Sequence, residues 1–187
     1  MHSFDYVSYE DFGRRFFELA VTEERVRAAL AAIAGDEFAM PPIAQGPGRF
    51  AKVSAGVKIE NPHVTRHLGE TITFTIHIPL AIDLLVDLRL DKQRFLVDGD
   101  ITLHAAARAA EPLLLIIDVA KPRARDIKVR VSSNSIRGEV LRIVAGVDGE
   151  VRRFIAQHVG AEIDSPQSQA AKVIDVREQI DTAWTGI

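Results

Sequence analysis

Between Ile72 and Leu90 every even-numbered residue is apolar: Ile72, Phe74, Ile76, Ile78, Leu80, Ile82, Leu84, Val86, Leu88 and Leu90. The odd positions are mostly polar, among them Thr71, Thr73, Thr75, His77, Asp83, Asp87 and Arg89. A period of two is the pattern of a strand with one face on a core. Here it continues far beyond the ~5–6 residues of an ordinary strand, and an unbroken run would extend ~60 Å. Pro79 is where it is expected to divide, if it divides at all. In either case the chain builds a broad antiparallel surface with one apolar face. What covers that face decides what the chain can do.

The flanks suggest the cover. Ser8 is placed to cap a first helix with Asp11 in its first turn, and Phe12, Phe16 and Leu19 recur at helical spacing. Thr22 caps a second helix with Val26, Ala29, Leu30 and Ile33 on one stripe, and Gly35 is its expected stop. Residues 36–48 carry Pro41, Pro42, Gly46, Pro47 and Gly48, and read as an exposed loop. Strand pattern then starts near Phe50, with Ala51, Val53, Ala55, Val57 and Ile59 on one face up to Pro62.

Beyond the long run, Asp91-Lys92-Gln93 reads as a turn. Phe95, Val97, Ile101 and Leu103 resume the alternation, with Gly99 as a bulge or the centre of a tighter turn. Leu113–Val119 is apolar on both faces, as for a strand covered on two sides, and Ile127, Val129 and Val131 form a last strand. Ser133-Asn134-Ser135 is cap chemistry. Val140, Leu141, Val144, Val147, Val151, Phe154, Ile155 and Val159 then fall three and four apart, giving a helix over 136–163 that would be ~40 Å long with a kink near Gly146. A short segment, 164–187, closes the chain. The expected fold is α+β: a long, highly curved antiparallel sheet (50–131) wrapped around a long C-terminal helix, with N-terminal helices (8–34), in a single domain over 1–187.

Composition narrows the function classes. The 187 residues include no cysteine, which removes disulfides, thiolate metal sites and cysteine nucleophiles. A formal charge of -3 disfavours nonspecific nucleic-acid binding, which depends on phosphate neutralisation. No run of ~18 apolar residues exists to span a bilayer, and the opening MHSFDYVSYEDF lacks a basic stretch followed by an apolar one. The expected location is cytoplasmic, with peripheral contact at a membrane surface as an extension.

The stretch Ile82-Asp-Leu-Leu-Val-Asp-Leu88, the segment Ile116-Ile-Asp-Val-Ala-Lys-Pro122, the strand Asp126-Ile-Lys-Val-Arg-Val131 and the closing helix together resemble the tubular lipid-binding superfamily. That superfamily includes the bactericidal/permeability-increasing proteins, the synaptotagmin-like mitochondrial lipid-binding domains and small bacterial relatives. The resemblance is one of pattern and order over about residues 50–187. It implies a curved sheet around a helix, an apolar groove for lipid tails, a lipid or acyl-chain ligand and no catalysis. The chain departs from the secreted relatives in having no cysteine for a disulfide, and its opening residues show no leader pattern.

The residues themselves leave two readings of the apolar stripe. Ile72, Phe74, Ile76, Ile82, Leu84, Val86 and Leu88, with Leu115 and Ile117 from the next apolar strand and Val144 and Val151 from the helix, either line a ligand groove or are packed core. Lys121, Arg123 and Arg125 cluster at Pro122 and either meet anionic headgroups or form a solvated turn beside Asp118 and Asp126. His63 and His67 have the spacing of a helical metal pair, but Pro62 and Gly69 flank them and no further ligand is evident. His77 and His104 fall on polar strand faces, and Asp98 and Asp100 read as a solvated pair. Gly46-Pro-Gly-Arg49 lacks the residues of a phosphate loop, and no nucleophile elbow, dinucleotide fingerprint or triad is present. The reading is therefore non-enzymatic binding or transfer of a lipid or another hydrophobic ligand in an apolar groove between the curved sheet and the helix, with no cofactor. Alternatives are a helix-grip pocket protein, binding or enzymatic, and a homodimeric interaction domain with a filled core.

Overall fold

A computed structural model describes residues 4–30, 33–131 and 138–185; the side chains of Pro47, Glu139, Val140, Leu141 and Thr185 are outside that description. The fold is α+β, a curled antiparallel half-barrel with five α-helices among the described residues. Two helices open it, α1 (Tyr9–Ala20) and α2 (Glu23–Leu30). Ser8 caps α1, its hydroxyl accepting from the Asp11 amide at 3.0 Å, and Thr22 accepts from the Arg25 amide at 3.3 Å.

The sheet follows as β1 (Glu37–Gln45), β2 (Ala51–Ile59), β3 (His63–His67), β4 (Thr73–Asp87), β5 (Lys92–Ala110), β6 (Leu114–Val119) and β7 (Ile127–Arg130). The long helix α3 (Gly138–Asp164), a short α4 (Pro166–Ala171), strand β8 (Val173–Asp175) and α5 (Val176–Thr185) complete the chain. Strand order is β1-β2-β4-β5-β6-β8. Strand β3 pairs with β4 beyond the end of β2, and β7 pairs with β5 beyond the end of β6. Two very long strands, β4 of 15 residues and β5 of 19, therefore form the spine, and shorter strands attach to either half of it.

The alternating run does not divide at Pro79. Glu60 donates to the Pro79 carbonyl at 2.9 Å, so that side of Pro79 faces the gap between β2, whose pairing ends at Ile59–Leu80, and β3, whose pairing starts at His63–His77. In a strand the N–H and C=O of one residue point the same way. The amide that proline lacks would have pointed into that gap, so the ladder loses nothing essential.

The far end differs from expectation as well. The strand stops at Asp87, and the turn is Leu88–Asp91, closed by Leu88 donating to the Asp91 carbonyl at 2.8 Å with Arg89 at φ +69°. Leu90 is fully exposed there. Gly99 is neither bulge nor turn, because β5 runs in register through it, opposite Leu80 and Val129.

Residues 37–45, read from the sequence as loop, form the edge strand β1. Its register with β2 slips between Met40 and Ile43, at the two prolines. Prolines are tolerated on a sheet edge because the missing donors face no neighbour. The closing segment likewise adds β8 to the opposite edge, against β6. Strand β6 is less enclosed than a strand covered on two sides: Leu115 is buried, while Leu114, Ile116, Ile117 and Val119 are half-buried. The expected stripe of α1 is also open, with Phe12 and Leu19 mostly exposed and Phe16, Phe17 and Ala20 half-buried.

One core fills the concave side. Phe74, Ile76, Ile78, Leu80, Ile82, Leu84 and Val86 meet Val53, Val57, Val97, Ile101 and Leu103, and α3 covers them with Val144, Val147, Val151, Ile155 and Val159. The helical spacing of these valines and Ile155 turns a single stripe into the trough, each full burial contributing ~1.5–3 kcal/mol. Helix α3 runs as one element through Gly146, which lies 3.7 Å from Gln45 on β1 where a Cβ would stand. Phe38 on β1 stacks on His158 of α3 at 3.8 Å and leans on Phe154 at 6.0 Å. The expected cap at Ser133-Asn134-Ser135 lies outside the described residues.

Candidate ligand cavity

The trough is filled unequally. Under α3 at the β2 end, Val53, Val57, Ile82, Leu84 and Val86 are at most 2% exposed and packed against one another. At the other end the cover changes from one helix to several. There α1, α2, the end of α3 and α4 meet over β4, β5 and β6, and they enclose a cavity of about 150 Å³. Its walls are Val26 and Leu30 from α2 with Val21 and Ile33 from the turns after α1 and α2, Ile76, Leu103, Leu115, Ile117 and Val119 from the sheet, and Val159 and Ile163 from α3. An apolar cavity of roughly this size is enough for a benzene-sized group and stays dry when empty.

Which lining residues are exposed shows where the cavity opens. Val21, Val26, Ile76, Leu103, Leu115 and Val159 are buried, whereas Arg25, Ala29, Glu162, Ala171 and Ile174 are exposed. The mouth therefore lies between α2, the last turn of α3, α4 and β8. Ser168 and Lys172 complete its polar edge. Lys172 donates from Nζ to the Ile163 carbonyl at 2.6 Å and is half-buried. Burial pulls its pKa below the usual lysine value, against the opposing pull of Asp164 and Asp118. Arg25 donates from its guanidinium to the Ala20 carbonyl at 2.7 Å.

The N-terminal helices, which form one whole wall, are held by Arg66 on β3. Its guanidinium donates to the carbonyls of Glu18 at 2.7 Å and Val21 at 2.9 Å, and its amide donates to Glu23 Oε1 at 2.7 Å. A cation at the carbonyl end of α1 satisfies groups that a helix terminus leaves open and complements its dipole.

Of the residues expected to line a groove, the structure brings Ile76, Leu115 and Ile117 to the cavity. Ile72, Phe74, Ile82, Leu84, Val86, Val144 and Val151 are buried and are not among its lining residues; Leu88 is half-buried beside the Leu88–Asp91 turn. Leu115 also borders a second apolar groove, open at the surface between α1, the β5–β6 turn and α5, where Phe12, Phe16, Leu113 and Ile180 meet.

Lys121, Arg123 and Arg125 are exposed and do not line the cavity. Lys121 pairs with Asp164, Arg125 lies 3.9 Å from Asp126, and the Arg123 amide donates to Asp126 Oδ2 at 2.8 Å. The sequence did not point to Val21, Ser168, Ala171 or Lys172, and it marked Leu103 only as part of an alternating strand face. The Val26–Leu30–Ile33 stripe was visible, but nothing local said which surface it would meet.

His63 and His67 lie on strand β3, so their spacing is not that of a helical pair. His67 is 3.0 Å from Thr75 Oγ1, and His77 is 3.3 Å from Thr102 Oγ1 and 3.9 Å from Asp100. Among the described residues no group of three or more His, Asp or Glu side chains is arranged to hold a metal ion. No described helix is long and apolar enough to cross a membrane.

No family model matches the chain, and no curated protein matches it in sequence. Among solved structures it is similar to the crystal structure of lipopolysaccharide binding protein, with 14% identity and a TM-score of 0.39. That match covers 83% of this chain and 39% of the other.

Proposed function

We propose that this chain is a non-enzymatic binder of a lipid or another hydrophobic ligand, whose apolar part enters the cavity beneath α1 and α2. The observation that carries the reading is the cavity itself: an apolar space open at one side, where α1, α2, α3 and α4 meet over the sheet. Burial of an alkyl segment there contributes ~0.8 kcal/mol per CH₂, so a five-carbon stretch supplies ~4 kcal/mol before ordering costs. Arg66 fixes the wall that α1 and α2 contribute to the site, through its bonds to the Glu18 and Val21 carbonyls and to Glu23.

The test uses residues at the mouth. Ala29 and Ala171 line the cavity yet are exposed, so a Trp at either position fills the entrance without entering packed core. Native mass spectrometry and calorimetry with a medium-chain alkyl amphiphile should show one bound molecule on the unsubstituted chain, and A29W and A171W should reduce its affinity at least about tenfold. Equal binding by all three proteins, or none by any, would end the proposal.

A further inference from the structure

The mouth carries an unequal set of charges. Arg25, Glu162 and Lys172 line it. Of the charged groups that act on Lys172, Lys121 pairs with Asp164, and Asp118 lies 3.3 Å from Arg108. Among the described residues neither Arg25 nor Lys172 has a carboxylate within ion-pair distance. Each donates one hydrogen bond to a carbonyl near a helix end, Ala20 for Arg25 and Ile163 for Lys172. A guanidinium has five N–H donors and an ammonium three, so both keep donors for a further acceptor. Two cations against Glu162 leave one positive charge at the edge of an apolar hole.

We infer that the cavity takes a single-chain amphiphile with an anionic head, a carboxylate or a phosphate monoester, held by Arg25 and Lys172 with its tail directed toward Leu115. This rests on the reading of the cavity as a ligand site. The volume decides the number of chains, since about 150 Å³ accommodates one alkyl end and not two side by side. The charge decides the head. Lys172 is half-buried, where a cation has lost part of its hydration, and an anion at the mouth restores that stabilisation in a setting less screened than open surface. A cationic head would meet two like charges, and a neutral hydroxyl would accept only the weaker bond that a neutral acceptor makes with Arg25 or Lys172. Glu162 opposes the anion from the same rim, so its removal tightens binding.

Capping of helix-end carbonyls would by itself explain why Arg25 and Lys172 lie where they do, and the experiment separates that role from ligand recognition. Calorimetry on the full chain compares decanoate, decyl phosphate, decanol and decyltrimethylammonium, with R25Q, K172Q and E162Q as variants. The expected order places both anions at least about tenfold tighter than decanol, with the quaternary ammonium weakest. K172Q and R25Q should each weaken the anions about tenfold and decanol by no more than about threefold, and E162Q should strengthen the anions. The rank of decanoate against decyl phosphate identifies which anionic head is preferred, and either rank supports the inference. Decanol binding as tightly as the anions, or K172Q weakening decanol and decanoate alike, would overturn it while leaving the hydrophobic site intact. Failure of all four compounds to bind would overturn both readings.

Discussion

Gly99 offers the sharpest test of how the spine of the sheet is packed. Its backbone is not in the left-handed region, so alanine can adopt the same conformation, and the cost of G99A is set by space alone. The added Cβ would stand 2.9 Å from Ile82 Cδ1, 3.2 Å from Leu80 Cβ and 3.3 Å from Leu80 Cδ1. Ile82 and Leu80 are 1% and 2% exposed, so neither has free space to move into. Leu80 Cβ is fixed to the β4 backbone. Overpacking of this kind costs ~1–3 kcal/mol, while replacing a strand glycine returns ~0.5–1 kcal/mol of chain entropy. The net expectation is a loss of ~1–2 kcal/mol.

Ile82→Val removes the methyl at the closest contact. Alone it should cost ~0.5–1.5 kcal/mol, but in the G99A background the new methyl occupies the vacated space. The two changes should therefore couple favourably by ~1 kcal/mol. Urea unfolding of the four proteins of this cycle, at a common m value, measures each quantity. A stabilised G99A, or a cycle additive to within ~0.3–0.5 kcal/mol, would refute the account of Gly99 as a close-packing position.

Two further outcomes follow from other groups. R66A should raise hydrogen exchange through α1 and α2 and weaken ligand uptake while the amides of β4 and β5 stay protected, since two helix-end carbonyls lose a charged donor worth ~1.5–3 kcal/mol per bond before solvent screening; unchanged exchange in the helices would refute that anchoring role. Arg94, bonded from Nε to both oxygens of Asp83 at 2.8 Å, lowers the Asp83 pKa below its ordinary value of 3.8. The stabilisation from this pair is thus complete above that value and is lost as pH falls toward the lowered one. Acid titration of stability should show a shallower slope for D83N than for the unsubstituted chain below pH 3.8, and identical slopes would refute the linkage.

Much of the fold was legible in the sequence because its signals are local. Period-two alternation placed Ile72–Val86 inward, helical spacing placed Val144 to Val159 over them, and Ser8 and Thr22 marked helix starts that the structure keeps. The misreadings have a common origin. Pro79, Pro41 and Pro42 look like breaks, yet a proline matters to a sheet only through the neighbour its amide would have served. Leu90 continues the alternation by residue type and ends in a turn, because alternation cannot state where pairing stops. Gly99 looks like a flexible point and is instead a space kept for Ile82.

By itself, then, the sequence determined which side of each strand and which stripe of the long helix turn away from water, since those follow from the spacing of apolar residues along one segment. Tertiary structure decided where the trough is filled and where it stays hollow. A cavity is a difference between the volume that several elements enclose and the volume their side chains occupy, and here those elements run from Ala20 to Ile174. Ile76 and Ile82 have the same alternation and the same residue type, but one faces the cavity and the other lies in packed core. What separates them is the cover on the far side: α3 alone over Ile82, and the meeting of α1, α2, α3 and α4 over Ile76.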